Sequence, residues 1–224
     1  MLHEALGEAK QILTDEQLER FVEIIREDAV WYDFFYTELT TGLRRGEICG
    51  LQWEDFDDAD GTLKIVRSVS SRKAGALEIG ETKTNKGRRT ISLPDSTAQR
   101  LRERKKAAIS QWIFPNPLHP EEPVNPSYAY HRLKTILKNT GLPSIRFHDL
   151  RHTFATHALA GGVDAKTLSG ILGHTNASFT LDTYTHVTGD MQKQAANIVG
   201  DFMADILGEE WKPWQESERT EKGL

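Results

Sequence analysis

The sequence predicts an α+β protein, mostly helical, with one small three-stranded antiparallel sheet. Two observations carry this. Capped apolar stripes at helical spacing fill the chain on both sides of a short central block. That block, residues 63–93, alternates β-branched and polar residues and is interrupted by Asn and Gly. At 224 residues the chain can bury a sizeable core, and 38% hydrophobic with 27% charged residues is an ordinary globular balance.

Taken in order, residues 1–12 read as a linker remnant. Thr14-Asp15-Glu16-Gln17 is a capping box, followed by the stripe Leu18, Phe21, Val22 and Ile25. An aromatic-rich helix runs from Trp31 to Leu39 and stops at Thr40-Thr41-Gly42. A short helical turn over Leu43–Leu51 carries the adjacent Arg44 and Arg45. Leu63–Val69, Leu77–Thr82 and Arg89–Leu93 read as the three strands, and the turn-rich Lys83–Arg88 as a basic hairpin tip. Pro94-Asp95 opens a helix to about Ile109. After a proline-rich loop, Asn125-Pro126 starts another to Asn139. Further helices are expected over His148–Ala160, from the cap Asp164 to Gly173, over Thr180–Tyr184, and over Asp190–Leu207. The last carries an apolar stripe of Ile198, Val199, Phe202, Met203 and Ile206, and residues 208–224 read as a flexible tail.

Composition narrows the function. The single Cys49 rules out an internal disulfide and sits among apolar neighbours, so it reads as core. No apolar run is long enough to span a membrane and the first residues lack a secretory layout, so a cytoplasmic protein is expected. The net charge of -5 is unevenly spread. Basic residues concentrate between Lys83 and Lys106, acidic ones in Glu54–Asp60 and after Asp201. A basic band on an acidic body can hold a phosphate backbone, although Arg100–Lys106 reads equally well as a solvated helix face.

The densest chemistry lies in Phe147-His148-Asp149-Leu150-Arg151-His152 and in Leu172-Gly173-His174, with Tyr184 beyond. His148 and Arg151 share a helix face. A helix opening beside them presents free N–H groups to an anion. The arginine fork can grip two phosphate oxygens, and an imidazole can donate a hydrogen bond or take a proton near neutrality. By itself His-x-x-Arg is more often a capping and packing pair. Together with the downstream histidine and tyrosine it reads as a phosphoryl-transfer site.

Four blocks stand in one order: Thr41-Gly42-Leu43-Arg44-Arg45-Gly46-Glu47, Thr82-Lys83-Thr84, His148-Asp149-Leu150-Arg151, and Leu172-Gly173-His174 with Tyr184 following. The set resembles the catalytic domain of tyrosine recombinases, the integrase family of phages and conjugative transposons. The resemblance implies that family's catalytic fold over residues 13–207, tail helix included. It implies site-specific DNA cleavage and rejoining through a 3′-phosphotyrosine, in the integration or excision of a mobile element.

By the same resemblance, Arg44 and Arg151 would bind the scissile phosphate and Lys83 would protonate the leaving oxygen. His148 would help deprotonate the nucleophile, His174 would donate to the phosphate, and Tyr184 would attack. Glu47 and Asp149 would orient Arg44 and His148, while Arg45, Lys86, Arg88 and Arg89 would touch DNA backbone. No cofactor, metal or nucleotide is expected. The expected partners are double-stranded recombination sites in a bacterial cytoplasm, met by a free monomer that becomes a tetramer on DNA through its tail. The family's N-terminal DNA clamp has no room before Thr14, so a catalytic-domain portion is expected. Two alternatives remain: a type IB topoisomerase with a similar residue set, and a metal-dependent hydrolase built on His148, His152 and His174.

Overall fold

A computed structural model of the chain describes residues 12–72, 76–82 and 87–174, with the isolated positions 197 and 199. The chain divides into two units, Met1–Thr183 and Tyr184–Leu224. In the second, Asn197 and Val199 are helical and exposed. Lys83, Lys86, Tyr184 and, those two positions apart, the helices expected over 180–184 and 190–207 lie outside the described residues.

The first unit is α+β. Helix α1 (Asp15–Arg26) opens on the capping box: Thr14 Oγ1 accepts from the Gln17 N–H at 3.3 Å, and Gln17 Oε1 accepts from the Thr14 N–H at 3.1 Å. Its buried face is Phe21 and Ile25. Helix α2 (Tyr32–Thr41) turns Phe34 and Phe35 inward. Phe21 meets Phe35 edge-on at 5.8 Å between ring centroids, and Phe34 meets Phe114 at 5.2 Å and Phe147 at 6.2 Å. Such burial contributes roughly 1.5–3 kcal/mol per side chain, which is why this aromatic knot centres the core.

Helix α2 ends at Gly42 with φ +59°. A side chain there would also put its Cβ 2.3 Å from Phe154 Cδ1. Glycine therefore satisfies both the turn and the close approach of α6. Helix α3 (Arg45–Cys49) follows with Arg44 at its N-cap, then a 3₁₀ turn over Trp53–Asp55.

A small three-stranded antiparallel sheet is present as expected, but its strands are not the three expected ones, and a second, two-stranded sheet stands beside it. β1 (Phe56–Asp57), β2 (Thr62–Ile65) and β5 (Arg89–Ser92) form one antiparallel sheet in the order β1-β2-β5. β3 (Arg67–Ser71) and β4 (Leu77–Glu81) form a separate pair. The expected strand Leu63–Val69 is interrupted at Val66, so its first half pairs with β5 and its second with β4. Ile65 stands opposite Arg89 and Arg67 opposite Glu81, with the Thr82 N–H donating to the Val66 carbonyl between them. β4 and β5 thus lie end to end along one partner edge. A hairpin joins β3 to β4, where the Arg72 N–H reaches the Ala76 carbonyl at 2.8 Å, and the tip expected over Lys83–Arg88 lies mostly outside the described residues.

Helix α4 (Asp95–Lys106) settles the two readings of its basic residues. Arg100 and Arg104 both hold Asp33, Arg102 donates to the Asp58 carbonyl, Lys105 to the Asp58 carboxylate and Lys106 to Glu103. This half of the basic band is spent on the protein's own acceptors. Helix α5 (Pro126–Thr140) starts at the cap Asn125, whose side chain accepts from the Ser127 N–H. Helices α6 (Phe147–Ala160) and α7 (Ala165–Leu172) complete the unit and carry most of the chemistry.

Candidate active site

Helix α7 ends in a Schellman turn. The His174 N–H donates back to the Ser169 carbonyl and the Gly173 N–H to the Gly170 carbonyl, with Gly173 at φ +64°. The carbonyls of Ile171, Leu172 and Gly173 are left without helical donors. Each instead receives one guanidinium: Arg89 Nε donates to Ile171 at 2.6 Å, Arg151 Nη2 to Leu172 at 2.7 Å, and Arg44 Nη2 to Gly173 at 3.0 Å. A helix C-terminus carries partial negative charge, so it favours cations there. Three arginines from β5, α6 and the start of α3 are thereby gathered at one point, next to His174.

Two further acceptors fix the cluster. Glu47 stands between Arg44 and Arg89, taking Arg44 Nη1 at 2.7 Å and Arg89 Nη2 at 2.9 Å and Nη1 at 3.2 Å. Burial works to raise its pKa, but the hydrogen bonds and charge of Arg89, with those of Arg44, outweigh it and hold the carboxyl below its usual value. Arg151 is 2% exposed and gives its other terminal nitrogen to the Gly42 carbonyl at 2.8 Å. Burial and then the nearby Arg44 lower its pKa to about 10, so it stays charged at neutral pH in a place that disfavours the charge. An anion would relieve that tension.

The histidines face the same cationic cluster. His148 and His152 meet edge-to-face at 4.6 Å between centroids. Burial, then Arg151, lowers the pKa of His148. For His174 the same two causes, with Arg44, lower it to about 4, so the imidazole is neutral at physiological pH. Because this lies below the value of about 6.5 for an unfolded histidine, the unfolded chain takes up the proton first as the pH falls. The stability contributed here is intact above that value and declines as the pH drops toward 4. A proton NMR titration should place the His174 midpoint near 4 in the free protein, rising when a phosphate ligand adds its negative charge. A midpoint at or above 6.5 without ligand would refute this.

The structure brings Arg44, Arg45, Glu47, Arg146, His148 and His174 onto one cleft of about 1310 Å³, with Arg151 just behind its wall. Other assignments change. Arg89 does not project as a backbone contact: its side chain is 8% exposed and its guanidinium is turned inward onto Glu47. Asp149 is committed to Arg146, accepting from its N–H at 2.8 Å and from Nη2 at 2.9 Å, rather than to His148. It closes the opening of α6, because the Arg146 N–H would otherwise lack an acceptor. Arg88 is exposed and pairs with Glu81 at 3.2 Å, and Arg45 lies over the Tyr130 and Phe147 rings. Among the described residues no group of three or more His, Cys, Asp or Glu side chains could hold a metal ion.

Sequence reasoning missed Glu38. It lines the cleft yet is fully buried, and among the described residues neither carboxyl oxygen has a hydrogen-bond partner. Burial raises its pKa well above the usual carboxyl value, against the pull of Arg151. The signal was a glutamate on the buried face of α2, four residues after Phe34.

Comparison with known proteins gives a consistent result. Residues 11–191 match the model of the phage integrase family. A XerC-like tyrosine recombinase of Caldanaerobacter subterraneus is 28% identical over 86% of this chain and 54% of its own length. The Tn916 transposase of Enterococcus faecalis is 29% identical over 81% of this chain and 49% of its own. The chain therefore spans about half the length of these curated relatives. The Tn1549 transposon integrase, solved with transposon right-end DNA, superposes with a TM-score of 0.74 at 26% identity, over 87% of this chain and 67% of that one. The fold is that of tyrosine recombinase catalytic domains, and with the family match extending over most of its length the chain belongs to the phage integrase family.

Proposed function

We propose that this chain is the catalytic portion of a site-specific DNA recombinase, an integrase that cuts and rejoins DNA through a 3′-phosphotyrosine. The observation that carries the reading is the seating of Arg44 and Arg151 on adjacent carbonyls of α7, beside a neutral His174. Phosphoryl transfer is mostly positioning and stabilisation of charge on the equatorial oxygens. Arg44 and Arg151 supply fixed positive charge there, and His174 a hydrogen-bond donor. His148, neutral through burial and Arg151, is available to accept the proton of the attacking hydroxyl.

Lys83 as general acid and Tyr184 as nucleophile complete the reading from the sequence blocks that match the family. Cleavage stores the energy of the phosphodiester in the tyrosyl ester, so rejoining needs no nucleotide. DNA recombination sites are the substrate, the relatives including transposases and an integrase solved on transposon-end DNA. Assembly on DNA as a tetramer, with the stripe from Ile198 to Ile206 docking between neighbours, is the corresponding quaternary reading; a lambda integrase tetramer on a Holliday junction, similar in fold, is compatible with it. The chain would be monomeric when free.

The test is a nicked suicide substrate carrying a recombination site of a related transposon. A covalent protein–DNA adduct at the 3′ phosphate is expected, undiminished by a chelator. No adduct across a panel of such sites, or adduct formation that requires an added metal, would overturn the reading. Relaxation of plasmids lacking any such site would favour the topoisomerase instead.

A further inference from the structure

We propose that Arg89 is a positioning residue that sets Arg44 for the scissile phosphate, acting through Glu47 and the end of α7. The inference rests on the functional reading above and adds a residue to that site. Three contacts define the role. Arg89 grips both Glu47 oxygens with its terminal nitrogens and the Ile171 carbonyl with Nε. Glu47 in turn holds Arg44 through its Nη1 and its backbone N–H, the latter at 3.0 Å. Arg44 closes the loop by reaching Gly173, two residues along from the carbonyl that Arg89 holds. The chain of contacts is Ile171 carbonyl, Arg89, Glu47, Arg44, Gly173 carbonyl.

The arrangement has a physical logic. Arg44 is 41% exposed at its side chain and faces the cleft, so by itself it has many rotamers. Glu47 is 3% exposed at its side chain, and a buried carboxylate needs a full set of donors to remain ionised. A single arginine cannot supply these and also turn nitrogens toward a phosphate. Arg89 satisfies the inner side of Glu47, which frees part of the Arg44 fork. The site is also anchored to the sheet, since Arg89 is the first residue of β5 and pairs with Ile65. One side chain thus ties the strand after the Lys83 segment, the Arg44 turn and the His174 turn together.

The experiment measures DNA affinity against salt and the single-turnover cleavage rate of bound suicide substrate for wild type, Arg89→Gln and Arg89→Lys. Each is run on an ordinary scissile phosphodiester and on one replaced by a methylphosphonate, which lacks the charge that Arg44 neutralises. Arg89→Gln should bind with unchanged affinity and salt slope and cleave about 10²-fold more slowly, the scale of a small misplacement in a positioned site. Arg89→Lys keeps the charge and loses the fork, so it should be nearly as slow; it also carries the test if Arg89→Gln fails to fold.

On the methylphosphonate both deficits should shrink to a few-fold, as for Arg44→Ala. A salt slope shallower by about one unit, with Arg89→Lys close to wild type, would mean a direct backbone contact and overturn the inference. An equal deficit on both substrates would mean a merely structural role and do the same. Wild-type adduct with wild-type rates in both variants sinks this inference alone. Absence of wild-type adduct sinks the functional reading and this inference with it.

Discussion

Tyr184→Phe is expected to bind recombination-site DNA as tightly as wild type and to form no covalent adduct, a fall of at least about 10⁴-fold, since on the proposed reading the lost oxygen is the nucleophile. The substitution removes one atom and no charge, so affinity and folding have little reason to change. A tyrosine hydroxyl has a pKa of about 10 in water and is a poor nucleophile at neutral pH. On the proposed reading Arg44 and Arg151 stabilise the developing anionic charge, and His148, whose pKa burial and Arg151 lower, accepts a proton. The control is Tyr130, the tyrosine that lines the cleft among the described residues. Arg45 and Lys134 both lie near the face of its ring, and Arg45 is 5.9 Å from its centroid. That places Tyr130 among cations as a platform, and Tyr130→Phe should retain the adduct. Adduct lost with Tyr130→Phe and kept with Tyr184→Phe would exchange the two roles.

Much of the fold could be read in advance because its signals are local. The Thr14 box, the Asn125-Pro126 start and the glycines ending α2 and α7 each satisfy helix ends within a few residues. The element boundaries they mark fall within about three residues of those seen. Strand pairing was not legible in the same way. Whether β4 or β5 takes the far half of the long strand depends on a ladder that changes partner at Val66, and no local pattern at Val66 announces it.

The same distinction applies to the site. His148, Arg151 and His174 stand out as residue types at motif spacing. Arg89 looked like one more surface cation in a basic run, because its acceptors Glu47 and Ile171 are 42 and 82 positions away in sequence. For Asp149 the sequence reading lacked a near contact: its hydrogen-bond partner Arg146 is only three residues away and closes the helix start, while its charge also acts on His148.

Arg151→Lys is expected to lower the cleavage rate of bound DNA by about 10²–10³-fold, the usual effect of losing one preorganised donor to transition-state charge. Arg151 has five N–H donors in a rigid fork. Two are committed, one to Gly42 and one to Leu172, which fixes the plane of the guanidinium between the end of α2 and the end of α7. On the proposed reading the remaining donors meet the phosphate in that plane. A lysine has one nitrogen, so it cannot span the two carbonyls and also present a second pair of donors.

Folding should suffer as well, since at least one buried carbonyl loses its partner. A cost of about 1–3 kcal/mol follows, which for a chain of this size lowers the melting temperature by roughly 2–4 °C per kcal/mol. Alkaline behaviour separates this loss from general weakening. Burial and Arg44 already lower Arg151 to about 10, and the same environment acting on an ammonium lowers it below its ordinary value of about 10.4. The charge at this position is present below the folded pKa and lost above it. Residual cleavage by Arg151→Lys should therefore fade at a lower pH than wild-type cleavage does. Wild-type rates in the lysine variant across that range would show that charge alone, without the fork, is what the site requires.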